Sequence, residues 1–218
     1  PWLRERPVAV GGKATDRGVI STSNYIARRY GVRSGMATAT AERLCPGLVL
    51  LPVRFERYEA VTRRLDVIFR RYTSNVEFLS LDEATLDVTG QVYCNGSATY
   101  MANRIRASIE QKLHLTASAG VAPLKYLAKM ASEVNKPNGQ FVIAPHQVQA
   151  FLKNLDIRKI PGVGPKTWAV LQALGCTKCA DVTDEMIPAL LRHLGAHGFY
   201  VWERCRGQES YEGKPGAV

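Results

Sequence analysis

Nowhere do the 218 residues hold an apolar run of about 18, the length a membrane-spanning helix requires, and no membrane partner is expected. The N-terminus also lacks the charged-then-apolar segment that directs secretion. Cysteine is sparse and odd in number, five residues spread over a long chain, which excludes a disulfide scaffold and suits a reducing cytoplasm. Repeats and low-complexity tracts are missing, and a composition of 46% apolar and 22% charged residues excludes disorder, collagen and coiled coil. The scarcest property is negative charge. Nineteen Asp and Glu face 29 Lys and Arg, a formal net charge of +10. Such an excess favours a polyanionic partner, because phosphate contacts gain from released counterions. A ribosomal or membrane-surface protein fits that charge equally well, so it fixes a class of partner and no more.

Strand-like and helical patterns alternate through the first two thirds. Pro7–Gly12 and Arg17–Thr22 read as strands around a Gly-rich turn. Ser23 is placed to cap a helix over 24–30, ended by Gly31, and a second helix fits Ala37–Leu44 before strand Leu48–Val53. Tyr58, Val61, Leu65, Ile68, Phe69 and Tyr72 recur at helical spacing, with Arg57, Arg63, Arg64, Arg70 and Arg71 on other positions. Val76–Leu81 and Ala84–Val88 read as strands. Met101, Ile105, Ile109 and Leu113 mark the next helix, Thr116–Ala122 a strand, Pro123 the opening of a helix to about Val134, and Gln140–Ile143 a last strand. From Pro145 on, only helices with Gly/Pro breaks are expected, which puts a domain boundary near 143–145. The economical fold class is α+β with a mainly antiparallel mixed sheet, followed by an all-α domain.

Asp82 and Glu83 are two carboxylates between two apolar strand runs. Neighbours on a regular strand point to opposite faces, so a shared role needs a turn there. Adjacent carboxylates repel unless a cation compensates, and Mg²⁺ favours one or two carboxylates plus substrate phosphates. A solvated acidic turn satisfies the same spacing.

Five blocks occur in a fixed order: Ser21–Met36 (STSNYIARRYGVRSGM), Ser80–Ala84 (SLDEA), Ala117–Ala122 (ASAGVA), Asn135–Gly139 (NKPNG) and Ile160–Gly164 (IPGVG). Together they resemble the Y-family translesion DNA polymerases, in particular the bacterial DNA polymerase IV (DinB) group, from Pro7 to about Gly207. The resemblance implies a palm with small fingers over 1–143, the fingers inserted at about 15–53, and a helical thumb over 144–218. It makes Asp82 and Glu83 catalytic metal ligands for two Mg²⁺ ions. Thr22, Tyr25 and Arg28 become contacts to the incoming triphosphate, and Lys136 a further phosphate-binding lysine. The reading of the residues agrees in part: Tyr25 and Arg28, three apart, share a helix face, and Thr22 lies just before the helix start, where anions bind. Core packing for Tyr25, and solvation for Arg28 and Lys136, are the plain alternatives. The family also carries an aspartate ligand and a bulky ribose-excluding residue on an earlier strand, and a C-terminal little-finger domain. None of these is found between Pro1 and Val218, so a fragment with an incomplete metal cage is expected, inactive or nearly so. Implied partners are primer–template DNA, dNTP and, for a full-length protein, a sliding clamp whose docking segment is not identifiable. A cytoplasmic monomer is expected.

Ile160–Pro165 lies between two helical stretches and looks like the turn of a helix-hairpin-helix. Pro161, Gly162, Val163 and Gly164 would bring backbone amides to a phosphate without reading sequence, with Lys166 adding charge nearby. A tight helix–helix connection is the plain alternative. Cys176-x2-Cys179-x13-His193-x3-His197 has the spacing of a two-Cys two-His zinc site. Gly175 and Gly195 interrupt the hairpin and the helix that such a site uses, so ordinary thiols and histidines are expected. Cys45, Cys94 and Cys205 have no partner at catalytic spacing. The leading function is metal-assisted nucleotidyl transfer past template damage; the alternative, from another class, is a non-catalytic DNA-binding protein built on the hairpin and basic helices.

Overall fold

The computed structural model describes residues 3–210, so Trp2 and the Gly213–Val218 tail lie outside the described residues. The chain divides into two compact units, Pro1–Val61 and Thr62–Val218.

In the first unit, β1 (Val8–Gly11) is the central strand between β2 (Ile20–Ser23) and β3 (Val49–Leu51). β1 runs antiparallel to β2, with Val10 opposite Thr22, and parallel to β3, with Ala9 opposite Leu50. A parallel neighbour needs a crossover, here supplied by α1 (Tyr25–Arg29) and α2 (Thr38–Leu44). The buried set is mostly small, Ala9, Ala27, Ala41, Val32, Ile20 and Cys45, which lets two short helices lie close to the sheet. The expected cap at Ser23 is corrected. Asn24 Oδ1 accepts the Ala27 amide at 3.0 Å and the Val8 amide at 3.1 Å, while Nδ2 donates to Arg6 O at 2.7 Å. One carboxamide thus ties helix to strand with donor and acceptor at once, and Ser23 closes β2 with its hydroxyl donating to Val32 O. The strand expected from Arg17 begins at Ile20, since Arg17 sits at φ +54° in the preceding turn.

α3 (Phe55–Phe69) begins in the first unit and continues into the second. There Leu65, Ile68 and Phe69 pack with Ile105, Ile109 and Leu113 of α4 (Ala98–Leu113) and with the hairpin of β4 (Val76–Phe78) and β5 (Ala84–Leu86). Tyr72, expected on α3, lies past its end and meets the edge of Tyr93. Arg57, Arg63 and Arg64 are exposed along α3, and Arg64 donates to Lys112 O at 2.9 Å.

β6 (Ala119–Val121) pairs parallel with β7 (Gln140–Val142) across α5 (Lys125–Val134). The described strands thus form three small sheets, with two antiparallel and two parallel pairings, and the class is α+β. Gly120 is where α5 crosses the strand: a methyl built there would lie 1.9 Å from Ala128 O and 2.4 Å from the Ser132 amide. Backbone cannot yield as a flexible side chain does. Gly120→Ala is therefore expected to lower stability by about 3 kcal/mol, read from the urea unfolding midpoint.

The apolar face of α5 (Tyr126, Leu127, Met130, Ala131) joins one buried cluster with α6 (Val148–Lys153), α7 (Pro165–Ala173), α8 (Ile187–Leu194) and α9 (Ala196–Cys205). Leu190 is fully buried there, whereas Leu191 is 44% exposed. It follows Leu190 by about 100° around the helix, onto the flank of a narrow apolar stripe.

Candidate functional site

In the first unit, Thr22 leaves the end of β2, and Tyr25 and Arg28 leave α1. The core alternative for Tyr25 does not hold, because its side chain is 45% exposed. Arg28 stacks over the Tyr25 ring at 5.0 Å and donates Nε to Ser23 O at 3.0 Å. A guanidinium held by Nε and by a ring face presents its terminal nitrogens for a bidentate anion. Thr22, Ser23, Arg28, Arg33 and Ser34 line an open cleft of about 380 Å³. That lining has two arginines, three hydroxyls and no carboxylate, a composition suited to a phosphate chain. The helix-terminus argument needs correction. α1 has only five residues, and Asn24 takes the Ala27 amide of its first turn, so the cleft's attraction for anions comes from its guanidiniums.

In the second unit, Asp82 and Glu83 sit in the turn joining β4 to β5, both exposed. Glu83 O closes that turn by accepting the Leu79 amide at 2.9 Å and the Ser80 amide at 3.3 Å. The turn relieves the opposite-face problem of adjacent strand residues. Asp82 Oδ1 accepts the Ser80 hydroxyl at 2.8 Å, and Glu83 Oε2 pairs with Lys129 Nζ at 2.5 Å. One turn earlier on α5, Lys125 pairs with Glu77 of β4, so two lysines on one helix face grip the hairpin. Lys136 follows α5 and pairs with Glu133 at 2.6 Å.

Further along, the Ile160–Gly164 turn leads into α7, whose first residue is Pro165. Gly162 has φ +90°, a conformation that L side chains rarely adopt. Upstream, Arg158 holds Asp156 down to about pKa 2 by hydrogen bonds, and its guanidinium lies 5.0 Å over the Trp168 ring. Lys166 is exposed on the first turn of α7.

The two cysteines of zinc-like spacing are buried in one core cluster, whereas the two histidines are not buried. Cys176 Sγ lies 3.3 Å from Met186 Sδ, and burial pushes its thiol pKa up. Cys179 is buried and hydrogen-bonds Cys205, which with burial raises the Cys205 thiol far above its ordinary value. His193 is exposed on α8, whereas His197 Nε2 lies 3.1 Å from Gly162 O. Among the described residues, no group of three or more His, Cys, Asp or Glu gathers as a metal site.

Known proteins share these elements in the same order. The model of the impB/mucB/samB family matches residues 1–133, and that of the IMS family HHH motif matches residues 146–175. The chain belongs to the impB/mucB/samB family. This impB/mucB/samB member is 57% identical over 215 residues to DNA polymerase IV of Pectobacterium atrosepticum and 55% identical over 215 to that of Serratia proteamaculans. Each alignment covers 99% of this chain and 61% of the relative, so the chain spans about three fifths of the relatives' length. Among solved structures, DinB from Sulfolobus solfataricus matches with a TM-score of 0.88 at 33% identity, over 96% of this chain and 62% of that one. The insertion ternary complex of Dbh DNA polymerase matches with a TM-score of 0.89 at 32% identity, over 97% and 63%. The Y-family resemblance, the α+β fold and the helix-hairpin-helix are thereby established for this chain.

Three residues of this impB/mucB/samB chain carried no separate signal in the sequence. Arg33 reaches back to donate to Arg28 O at 2.6 Å, which puts a second guanidinium in the cleft. Ser34 donates to Ser21 O at 2.7 Å, fixing the opposite wall. Lys129 looks like one more surface lysine until its pairing with Glu83 is seen.

Proposed function

We propose that the chain carries the nucleotide-transfer portion of a translesion DNA polymerase. What supports this most is the presence in one chain of a carboxylate-free cleft with two arginines and an exposed turn with two carboxylates. Residues 1–143 are read as palm and fingers, the fingers being about 15–53, and 144–218 as thumb. Thr22, Tyr25 and Arg28 take the triphosphate of a dNTP, and Lys136 exchanges Glu133 for a phosphate oxygen. Pro161, Gly162, Val163, Gly164 and Lys166 hold the backbone of primer–template DNA. The setting is a bacterial cytoplasm, with a sliding clamp as partner of the longer protein.

The donors at the acidic turn suit Mg²⁺. They are hard oxygens, two in number and exposed, and the ion completes its shell from phosphates and water. Asp82 and Glu83 would hold it; when bound, it supplies charge neutralisation for the triphosphate and activation of an attacking hydroxyl. Lys129 is the cation that balances Glu83 meanwhile, and so it competes with a divalent ion for the same oxygen. Lys129→Met is expected to tighten binding of the doubly charged Mn²⁺ to the chain about ten- to thirtyfold, measured by electron paramagnetic resonance titration. A unit charge about 4 Å away in a watery setting has roughly that effect.

The function itself is tested by primer extension with the chain lengthened to its relatives' full span, on undamaged and damaged templates. Incorporation that requires Mg²⁺ and a dNTP is expected, and the 218-residue chain should extend primers poorly or not at all. No incorporation by the lengthened protein on either template would refute the proposal.

A further inference from the structure

His197 is one of the four residues of the zinc-like spacing, yet its ring points at the hairpin turn. Nε2 lies 3.1 Å from Gly162 O, the geometry of an Nε2–H donor on a carbonyl. Three residues on, Tyr200 donates its hydroxyl to Pro161 O at 2.9 Å. The two rings stack at 5.3 Å with 12° between their planes, and Arg204 lies over the Tyr200 ring at 4.6 Å. Residues 197, 200 and 204 recur at helical spacing, so α9 presents them along one face. Their packing also fixes the residue opposite. A methyl at Gly162 would meet Tyr200 Cε1 at 3.2 Å and His197 Cε1 at 3.4 Å.

The turn's own hydrogen bonds give this grip a purpose. Val163 N–H is engaged by Ile160 O at 3.0 Å, and Gly164 N–H reaches Gly162 O at a long 3.2 Å. If Gly164 N–H is to serve a phosphate, Gly162 O loses that partner, and a second donor keeps this exposed carbonyl fixed in place of water. His197 is that donor. We propose that His197 and Tyr200 are positioning residues for nucleic-acid binding, holding the two carbonyls of the Pro161–Gly164 turn so that the Gly164 amide is released to a backbone phosphate. The inference rests on the reading of this turn as a DNA contact.

The test compares His197→Phe, His197→Gln, Tyr200→Phe and Lys166→Ala in binding to a labelled primer–template duplex across a salt series, each with a thermal melt. His197→Phe keeps the stacked ring and loses the donor. Tyr200→Phe loses only the hydroxyl. His197→Gln retains an N–H donor. A neutral amide releases no counterion, so both Phe variants should weaken binding about three- to tenfold at every salt concentration, with the slope of log K against log salt unchanged. His197→Gln should recover most of that loss. Lys166→Ala, which removes a charge, should make the slope shallower by about 0.9. If Lys166→Ala behaves so while both Phe variants bind as the parent does, the positioning role is wrong and the DNA-binding turn stands. If the Phe variants change slope and melting temperature together, they act through folding and the inference is overturned. If no variant alters binding, the turn is not a DNA contact and both fall.

Discussion

Replacing Asp82 and Glu83 together by alanine, in the chain lengthened to its relatives' span, is expected to lower nucleotide incorporation by about a thousandfold or more, with DNA affinity unchanged or raised. The size follows from removing fixed charges that act on the reacting groups, where single electrostatic contacts contribute about 10²–10³. The sign of the DNA effect follows from charge. Two negative side chains are removed, so repulsion of the DNA phosphates falls. The fold should survive. The turn is closed by the carbonyl of Glu83 rather than its side chain, and the pair with Lys129 is exposed. Exposed pairs contribute at most about 1 kcal/mol. Single-turnover incorporation and duplex binding on the same preparation check both arms. Retained incorporation would remove the carboxylates from the chemistry. If DNA affinity fell instead, in a protein whose parent never incorporates, the non-catalytic DNA-binding alternative would be favoured.

Arg28→Ala should raise KM for the incoming dNTP about ten- to a hundredfold, the range for losing a charge-assisted, bidentate hydrogen bond. Steady-state kinetics at varied dNTP measures it. Arg28→Lys should recover only part, since a point charge cannot reproduce the planar fork held by Ser23 O and the Tyr25 ring. The melting temperature should change little, because Arg28 is exposed and the α1 cap belongs to Asn24. An unchanged KM in both variants would mean that the cleft does not bind the triphosphate. Arg33 offers an internal comparison. Its guanidinium donates to Arg28 O and Val32 O, so Arg33→Ala should act more weakly and partly through the shape of the loop.

The long amphipathic segments were legible because burial imposes its period over many residues. The stripe of α3 and that of α4 meet in one cluster, much as their spacing indicates. Short elements were not, since tertiary partners decide them. Asn24 displaced Ser23 as the cap of α1 because it also bonds Val8 and Arg6, sixteen and eighteen residues upstream. At the candidate site, the twin carboxylates, Tyr25 and Arg28 stood out by residue type and order. Lys129 and Arg33 did not, for their meaning lies in which oxygen they reach. His197 is the sharpest case. Spacing ties it to Cys176 and Cys179, whereas the fold turns it toward a carbonyl thirty-five residues upstream.

The most direct test is an anomalous-diffraction map of the lengthened protein with primer–template DNA, a non-reactive dNTP analogue and Mn²⁺. A manganese peak at bonding distance from Asp82 and Glu83 is the predicted result, with the analogue's phosphates on Thr22, Tyr25 and Arg28. Bound nucleotide with no metal at that turn, or metal held by other residues, would contradict the account.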